Sequence, residues 1–150
     1  MNVYLLVKFF HVFFAITAVG ANLTYGVWFA RANADPQSAA AILRGIKFID
    51  DRIANPAYGL LLVTGLGEIY LGHYSFAMLW ILWALILYVI LLVIAAGFYT
   101  PTLKRQVEAV AKNGIKDATA TALAARGQFL AGLMGVLVLG ILVLMIFKPT

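Results

Sequence analysis

The chain has 150 residues, of which 64% are hydrophobic and 11% are charged, with a net charge of +5 at pH 7. Soluble domains are about half apolar and about a quarter charged. The composition therefore excludes an ordinary soluble domain and indicates an integral membrane protein. The sequence contains no cysteine, which excludes disulfides, thiolate metal sites and cysteine nucleophiles. The length predicts a single domain, residues 1–150.

Four apolar runs predict an all-α membrane protein, a four-transmembrane-helix bundle. About 20 helical residues cross a bilayer core of about 30 Å. The runs are continuous rather than alternating, which favours helices over a barrel. We predict spans over residues 3–30, 54–72, 76–99 and 127–147.

The basic residues predict the orientation. Nine of the eleven Lys and Arg fall in the connectors 31–55 and 100–128, at positions 31, 44, 47, 52, 104, 105, 112, 116 and 126. The positive-inside rule then places both connectors in the cytoplasm and both termini outside. This placement explains the positive charge without a nucleic-acid partner, and the expected partner is the lipid bilayer.

Both connectors are expected to contain amphipathic helices at the membrane surface. The helix in the first connector is alternatively the start of the second span. An N-cap residue followed by proline occurs at residues 35–36 and again at residues 100–101, which predicts a helix start at each place. Gly114 predicts the end of the second connector helix. Asp117 then predicts the N-cap of a helix that continues into the fourth span.

The first span contains polar and small residues that recur every three or four positions. A helix places residues with this spacing on one face. Polar groups within a bilayer turn towards other helices, so we predict that this face points into the bundle. Its members are Lys8, His11, Ala15, Ala18, Asn22 and Tyr25.

Glu68, near the outer end of the second span, is predicted to join a polar cluster with this face. Lys8 and His11 are one helical turn apart, and the topology puts Glu68 at a similar depth, with Asn22 and Tyr25 further along the first span. A carboxylate near hydrocarbon requires a cationic partner. Snorkelling of Lys8 to the interface is the alternative.

Candidate metal or cofactor ligands occur in the same outer layer. His11 and His73 are the candidate axial ligands of haem b, and these two residues with Met78 and Met145 are the candidate copper ligands. Imidazole and thioether groups suit Cu(I). The alternatives are a hydrogen bond from His11 to a neighbouring helix, a solvated His73 and methionines that serve only in packing.

The sequence contains no recognised enzyme motif. HExxH, GxSxG and a P-loop are all absent, and "TGLG" in the second span lacks the lysine that a phosphate-binding loop needs. We therefore predict no catalytic residues and favour a protein without enzymatic activity.

Three segments resemble a bacterial integral-membrane family, domain of unknown function 2269. They are "NVYLLVKFFHVFFAITAVGA", "TGLGEIYL" and "LYVILLVIAAGFYTPTLKRQ". The resemblance implies four spans in a bacterial inner membrane. The first-span K-x-x-H also resembles the copper-resistance protein D group and the HemJ-type protoporphyrinogen oxidases. The HemJ resemblance implies haem binding by His11, although the tryptophan and basic cluster of that group are absent here.

Three functions remain open at this point. The first is a redox or electron-transfer role with haem b bound by His11. The second is copper handling on the outer side. The third is a non-catalytic structural or transport bundle, acting as a homo-oligomer or with a membrane partner protein.

Overall fold

The computed structural model describes residues 2–149, and all of its regular structure is helical, which confirms the predicted all-α class. The elements are α1 (Val3–Ala34), α2 (Ala39–Ile49), π1 (Asp50–Ala54), α3 (Asn55–Leu71), α4 (Leu79–Ile94), π2 (Ala95–Tyr99), α5 (Thr100–Asn113) and α6 (Ala118–Phe147). The elements α2, π1 and α3 follow one another without a break, as do α4, π2 and α5. The chain therefore forms four long helical rods.

The four rods pair into two hairpins. In the first hairpin, α1 packs against α2, π1 and α3. In the second hairpin, α6 packs against α4, π2 and α5, while α2 packs against α5 and joins the hairpins. We call the end with the loop 72–78 the turn end, and the opposite end the connector end.

Two π-helical turns occur where proline follows inside a continuous rod. Proline has no N–H, and in an α-helix its ring would clash with the carbonyl four residues earlier. Before Pro56, the backbone N–H of Asn55 donates to the carbonyl of Asp50, five residues back. Thr100 donates to the carbonyl of Ala95 in the same way before Pro101. Helix α5 begins at Thr100, as predicted, but it continues the preceding rod, because the wider turn accommodates Pro101 without a break.

The first connector also differs from its prediction. Helix α1 continues to Ala34, and the Asp35 carboxylate accepts hydrogen bonds from the backbone N–H groups of Gln37 and Ser38 at 3.2 and 3.4 Å. Asp35 therefore stabilises a turn instead of capping a helix that starts at Pro36. Helix α2 begins only at Ala39.

The second connector follows its prediction. Helix α5 ends at Asn113, and Gly114 has a positive φ of 86°. The Asp117 side chain accepts from the backbone N–H groups of Thr119 and Ala120, which confirms the predicted cap. Helix α6 then runs unbroken to Phe147.

Three helices are long and apolar enough to cross a membrane, namely Val3–Ala34, Leu79–Asn113 and Ala118–Phe147. Large apolar side chains cover their outer surfaces; Leu23 is 75% exposed and Ile146 is 71% exposed. An apolar surface of this extent is unfavourable in water and suits contact with lipid. Helix α3 has only 17 residues.

Candidate functional site

A lateral groove between α1 and α6 contains a cavity of about 680 Å³. Small residues at four-residue spacing line both of its walls. They are Gly26 and Ala30 on α1, and Gly127, Ala131 and Gly135 on α6. Such spacing places small side chains on one face of each helix, so the two walls leave room between them.

Polar side chains form the floor of the lateral groove. The Asn22 amide donates to the Tyr58 hydroxyl at 2.6 Å, so this amide turns towards α3. The Tyr88 hydroxyl donates to the Tyr58 backbone carbonyl at 2.5 Å and thereby joins α4 to α3. Tyr58, Tyr25 and the buried Tyr99 line the groove with Asn22. Hydrogen-bonding groups therefore face a space bounded by apolar walls.

Tyr25 has an unused hydrogen-bonding group at this floor. Its side chain is only 4% exposed, and its hydroxyl has no hydrogen-bond partner within residues 2–149. An unpaired buried hydroxyl costs about 1–3 kcal/mol. A ligand that accepts a hydrogen bond from Tyr25 would recover this free energy.

A second cavity, the turn-end cavity, has a volume of about 130 Å³ and lies among all four rods. Its walls are mostly apolar and include Trp80, Leu142 and Met145. His11 and Glu68 bring ionisable side chains to it. The side-chain oxygen Oε1 of Glu68 is enclosed and has no hydrogen-bond partner in the described part of the chain.

His11 is held by α3. Its Nδ1 lies 3.0 Å from the carbonyl oxygen of Leu61 and 3.1 Å from Oγ1 of Thr64. The imidazole packs on Gly65, where an added Cβ would come within 2.9 Å of Cε1 of His11. The absence of a side chain at Gly65 is therefore what lets the ring lie against this helix.

The predicted cluster of Lys8, His11 and Glu68 is not formed by direct contacts. Lys8 is exposed, and the ion pair seen within residues 2–149 joins Lys47 to Asp51. His11 bonds to α3 one helical turn away from Glu68. The long lysine stem lets the ammonium leave the bundle, so the inward placement of Lys8 is also wrong.

The predicted haem and copper ligands do not converge on one cavity. His11 and Met145 line the turn-end cavity, whereas His73 lies in the loop 72–78 and Met78 is the N-cap residue of α4. No group of three His, Cys, Asp or Glu residues in the described chain could hold a metal ion. The turn-end cavity is also smaller than the roughly 300–1,000 Å³ of most ligand pockets.

Asp50 forms a buried junction that sequence reasoning missed. Its carboxylate is 3% exposed and accepts hydrogen bonds from Nδ2 of Asn55 at 3.3 Å and Oγ1 of Thr100 at 3.2 Å. Burial raises the pKa of Asp50 above its ordinary value of 3.8. We call Asp50, Asn55 and Thr100 the Asp50 junction, and it links the two proline-containing rods where both make a π-helical turn.

Comparisons with known proteins identify a family but no characterised relative. Searches of curated proteins and of solved structures found no match. The model of one family, described as a predicted integral membrane protein, DUF2269, matches residues 5–149. The exposed apolar helices of the fold agree with that description. The chain therefore belongs to the DUF2269 family of predicted integral membrane proteins.

Proposed function

We propose that the chain crosses a bacterial cell membrane four times and binds a lipid-soluble carbonyl compound in the lateral groove. Both termini lie outside in this arrangement, and the basic connectors lie in the cytoplasm. The single observation that supports binding best is the side chain of Tyr25, which lines the groove and whose buried hydroxyl has no hydrogen-bond partner within residues 2–149.

The lengths of the rods support the four crossings. Helix α3 has 17 residues, which span about 26 Å at 1.5 Å per residue, and π1 adds a further turn at its connector end. It packs along α1, which is long enough to cross by itself. The loop 72–78 is then short enough to connect α3 and α4 on one side of the membrane.

The two connector helices support the placement of basic residues at the membrane surface. Helix α2 buries Leu43 and exposes Arg44. Helix α5 buries Leu103 and exposes Lys104 and Arg105. This division suits helices whose apolar face packs on the bundle and whose basic face meets headgroups and water.

The chemistry of the groove favours an uncharged ligand that accepts hydrogen bonds. The Tyr25 hydroxyl is free to donate, and the walls are made of glycine, alanine and larger apolar residues. The volume of about 680 Å³ lies within the usual range for ligand pockets. A molecule dissolved in the bilayer reaches such a groove from the side and places its carbonyl against Tyr25.

Native mass spectrometry of the protein purified in lipid nanodiscs tests this proposal. We expect a retained small molecule, and the Tyr25→Phe variant should bind it about fivefold more weakly, the equivalent of one hydrogen bond. Occupancy is therefore compared over a range of ligand concentrations. The matched control is Tyr70→Phe, because Tyr70 is 81% exposed and should leave occupancy unchanged. Analysis of the released compound distinguishes an acyl ester of a membrane lipid from a quinone.

Two results would overturn the proposal. Equal affinity of wild type and Tyr25→Phe for the retained molecule would show that the hydroxyl contacts no ligand. A dimer without any retained small molecule would show that a second copy fills the groove.

Haem b and copper stay predictions for His11. A visible absorption spectrum and a metal assay of the same preparation test them.

A further inference from the structure

The Glu68 carboxylate is the least expected group in the turn-end cavity. Its Oε1 is enclosed and has no hydrogen-bond partner within residues 2–149, although the surrounding wall is largely apolar. A carboxylate oxygen in such surroundings costs free energy unless a donor or a cation approaches it. Lys8 does not fulfil this role because its side chain is exposed, and Nδ1 of His11 faces Leu61 and Thr64.

An aromatic corner lies at the same cavity. The rings of Tyr74 and Trp80 meet edge to face, with centroids 5.8 Å apart, and both residues line the cavity. The ammonium group of Lys148 lies 5.8 Å from the Tyr74 centroid and 5.1 Å from the Trp80 centroid. These distances are within the range of cation–π attraction, so the corner already attracts a cation from its own chain.

We propose that the turn-end cavity binds a small organic ammonium ion between the Glu68 carboxylate and the rings of Tyr74 and Trp80. The carboxylate supplies the opposite charge, and the ring faces supply the contact that quaternary ammonium groups favour. The volume of about 130 Å³ suits a trimethylammonium group, because a cavity of about 150 Å³ accommodates benzene. The ammonium group of Lys148, 5.1 Å from the Trp80 centroid, repels a second cation bound at these rings.

This site is independent of the lateral groove. The groove presents the hydroxyl of Tyr25, which suits an uncharged acceptor, whereas the turn-end cavity presents a carboxylate, which suits a cation. The two ligands therefore differ in charge, and either site can fail its test without affecting the other.

Calorimetric titration of the protein in nanodiscs with choline, which carries a trimethylammonium group, tests the proposal. The heat measured with empty nanodiscs is subtracted. The uncharged compound 3,3-dimethylbutan-1-ol has the same shape as choline and should not displace it. Glu68→Gln should weaken cation binding about tenfold or more, because it removes the charge and keeps the shape. Glu108→Gln, on the exposed face of α5, is the matched control and should bind as the wild type does.

A second variant gives an effect of opposite sign. Lys148→Met removes this positive charge, so we expect the cation to bind about threefold to tenfold more tightly. It tests the proposal even where Glu68→Gln fails to fold. The proposal is overturned if wild-type protein gives no saturable binding, if 3,3-dimethylbutan-1-ol competes equally, or if Lys148→Met leaves the affinity unchanged or lowers it.

Discussion

Replacement of Asp50 by alanine should destabilise the bundle more than any exposed substitution in the same connector. The change removes two hydrogen bonds to a carboxylate, worth about 1.5–3 kcal/mol each, and leaves the donors of Asn55 and Thr100 unpaired. Alanine also removes the free-energy cost of burying the Asp50 carboxylate, and this offsets part of the loss. We expect the free energy of unfolding to fall by about 2–3 kcal/mol. Asp50→Asn keeps an acceptor oxygen and should cost about 1 kcal/mol or less.

The pH dependence gives a further test of the same carboxylate. Because burial raises the pKa of Asp50 above 3.8, the folded state binds its proton more tightly than the unfolded state does. The contribution of Asp50 to the free energy of unfolding is therefore greatest below pH 3.8 and decreases as the pH rises through the folded-state pKa. Wild type should therefore gain stability relative to Asp50→Asn on acidification. The gain is about 1.4 kcal/mol for each tenfold difference in the proton affinity of Asp50 between the folded and the unfolded state.

The assay is unfolding in mixed micelles of increasing SDS content, followed by circular dichroism between pH 4 and pH 8. Asp51→Ala is the matched control, because Asp51 has a 47% exposed side chain and pairs with Lys47 at the surface. That change should cost about 0–1 kcal/mol. Equal losses from Asp50→Ala and Asp51→Ala, or parallel pH profiles for wild type and Asp50→Asn, would refute this account of the junction.

Two further predictions concern local packing and capping, with unfolding in mixed micelles as the measurement. Gly65→Ala should cost about 1–3 kcal/mol, because the new Cβ meets the His11 ring at 2.9 Å. Gly59→Ala in the same helix is the control, because its new Cβ has no other atom within 4 Å, and it should be neutral or slightly stabilising. Equal effects of the two changes on stability would contradict the argument. Asp117→Ala removes the N-cap of α6 and should cost about 0.5–2 kcal/mol, which an unchanged transition would disprove.

Sequence reasoning located helix ends where local chemistry decides them. Gly114 and Asp117 mark a stop and a start because a positive φ and a side-chain cap depend only on neighbouring residues. The two prolines were predicted less well. Pro36 does not start a helix, since α2 begins at Ala39, and Pro101 does not separate α5 from the rod that precedes it. Proline excludes an ordinary α-helical turn, but the sequence does not show that packing against the other rods stabilises a π-helical turn instead.

The polar contacts were less predictable because they join distant positions. The spacing on the first span indicated an inward face, and Ala18 and Tyr25 of this face are buried. The partner of His11 was misplaced by one helical turn, since Thr64 rather than Glu68 meets the ring. The contact between Asp50 and Thr100 joins two connectors that no periodicity relates. In the sequence, the dipeptides Asn55-Pro56 and Thr100-Pro101 were the only indications of this contact.

The hairpin arrangement has a consequence for the order in which the chain folds. Helix α1 packs on the rod that follows it, and α6 packs on the rod that precedes it, so most packing joins neighbours in sequence. Contacts of this kind close short loops and form quickly. The first hairpin can therefore assemble while the second is still on the ribosome. The contacts of α2 with α5 and of Asp50 with Thr100 form last, because they need both hairpins.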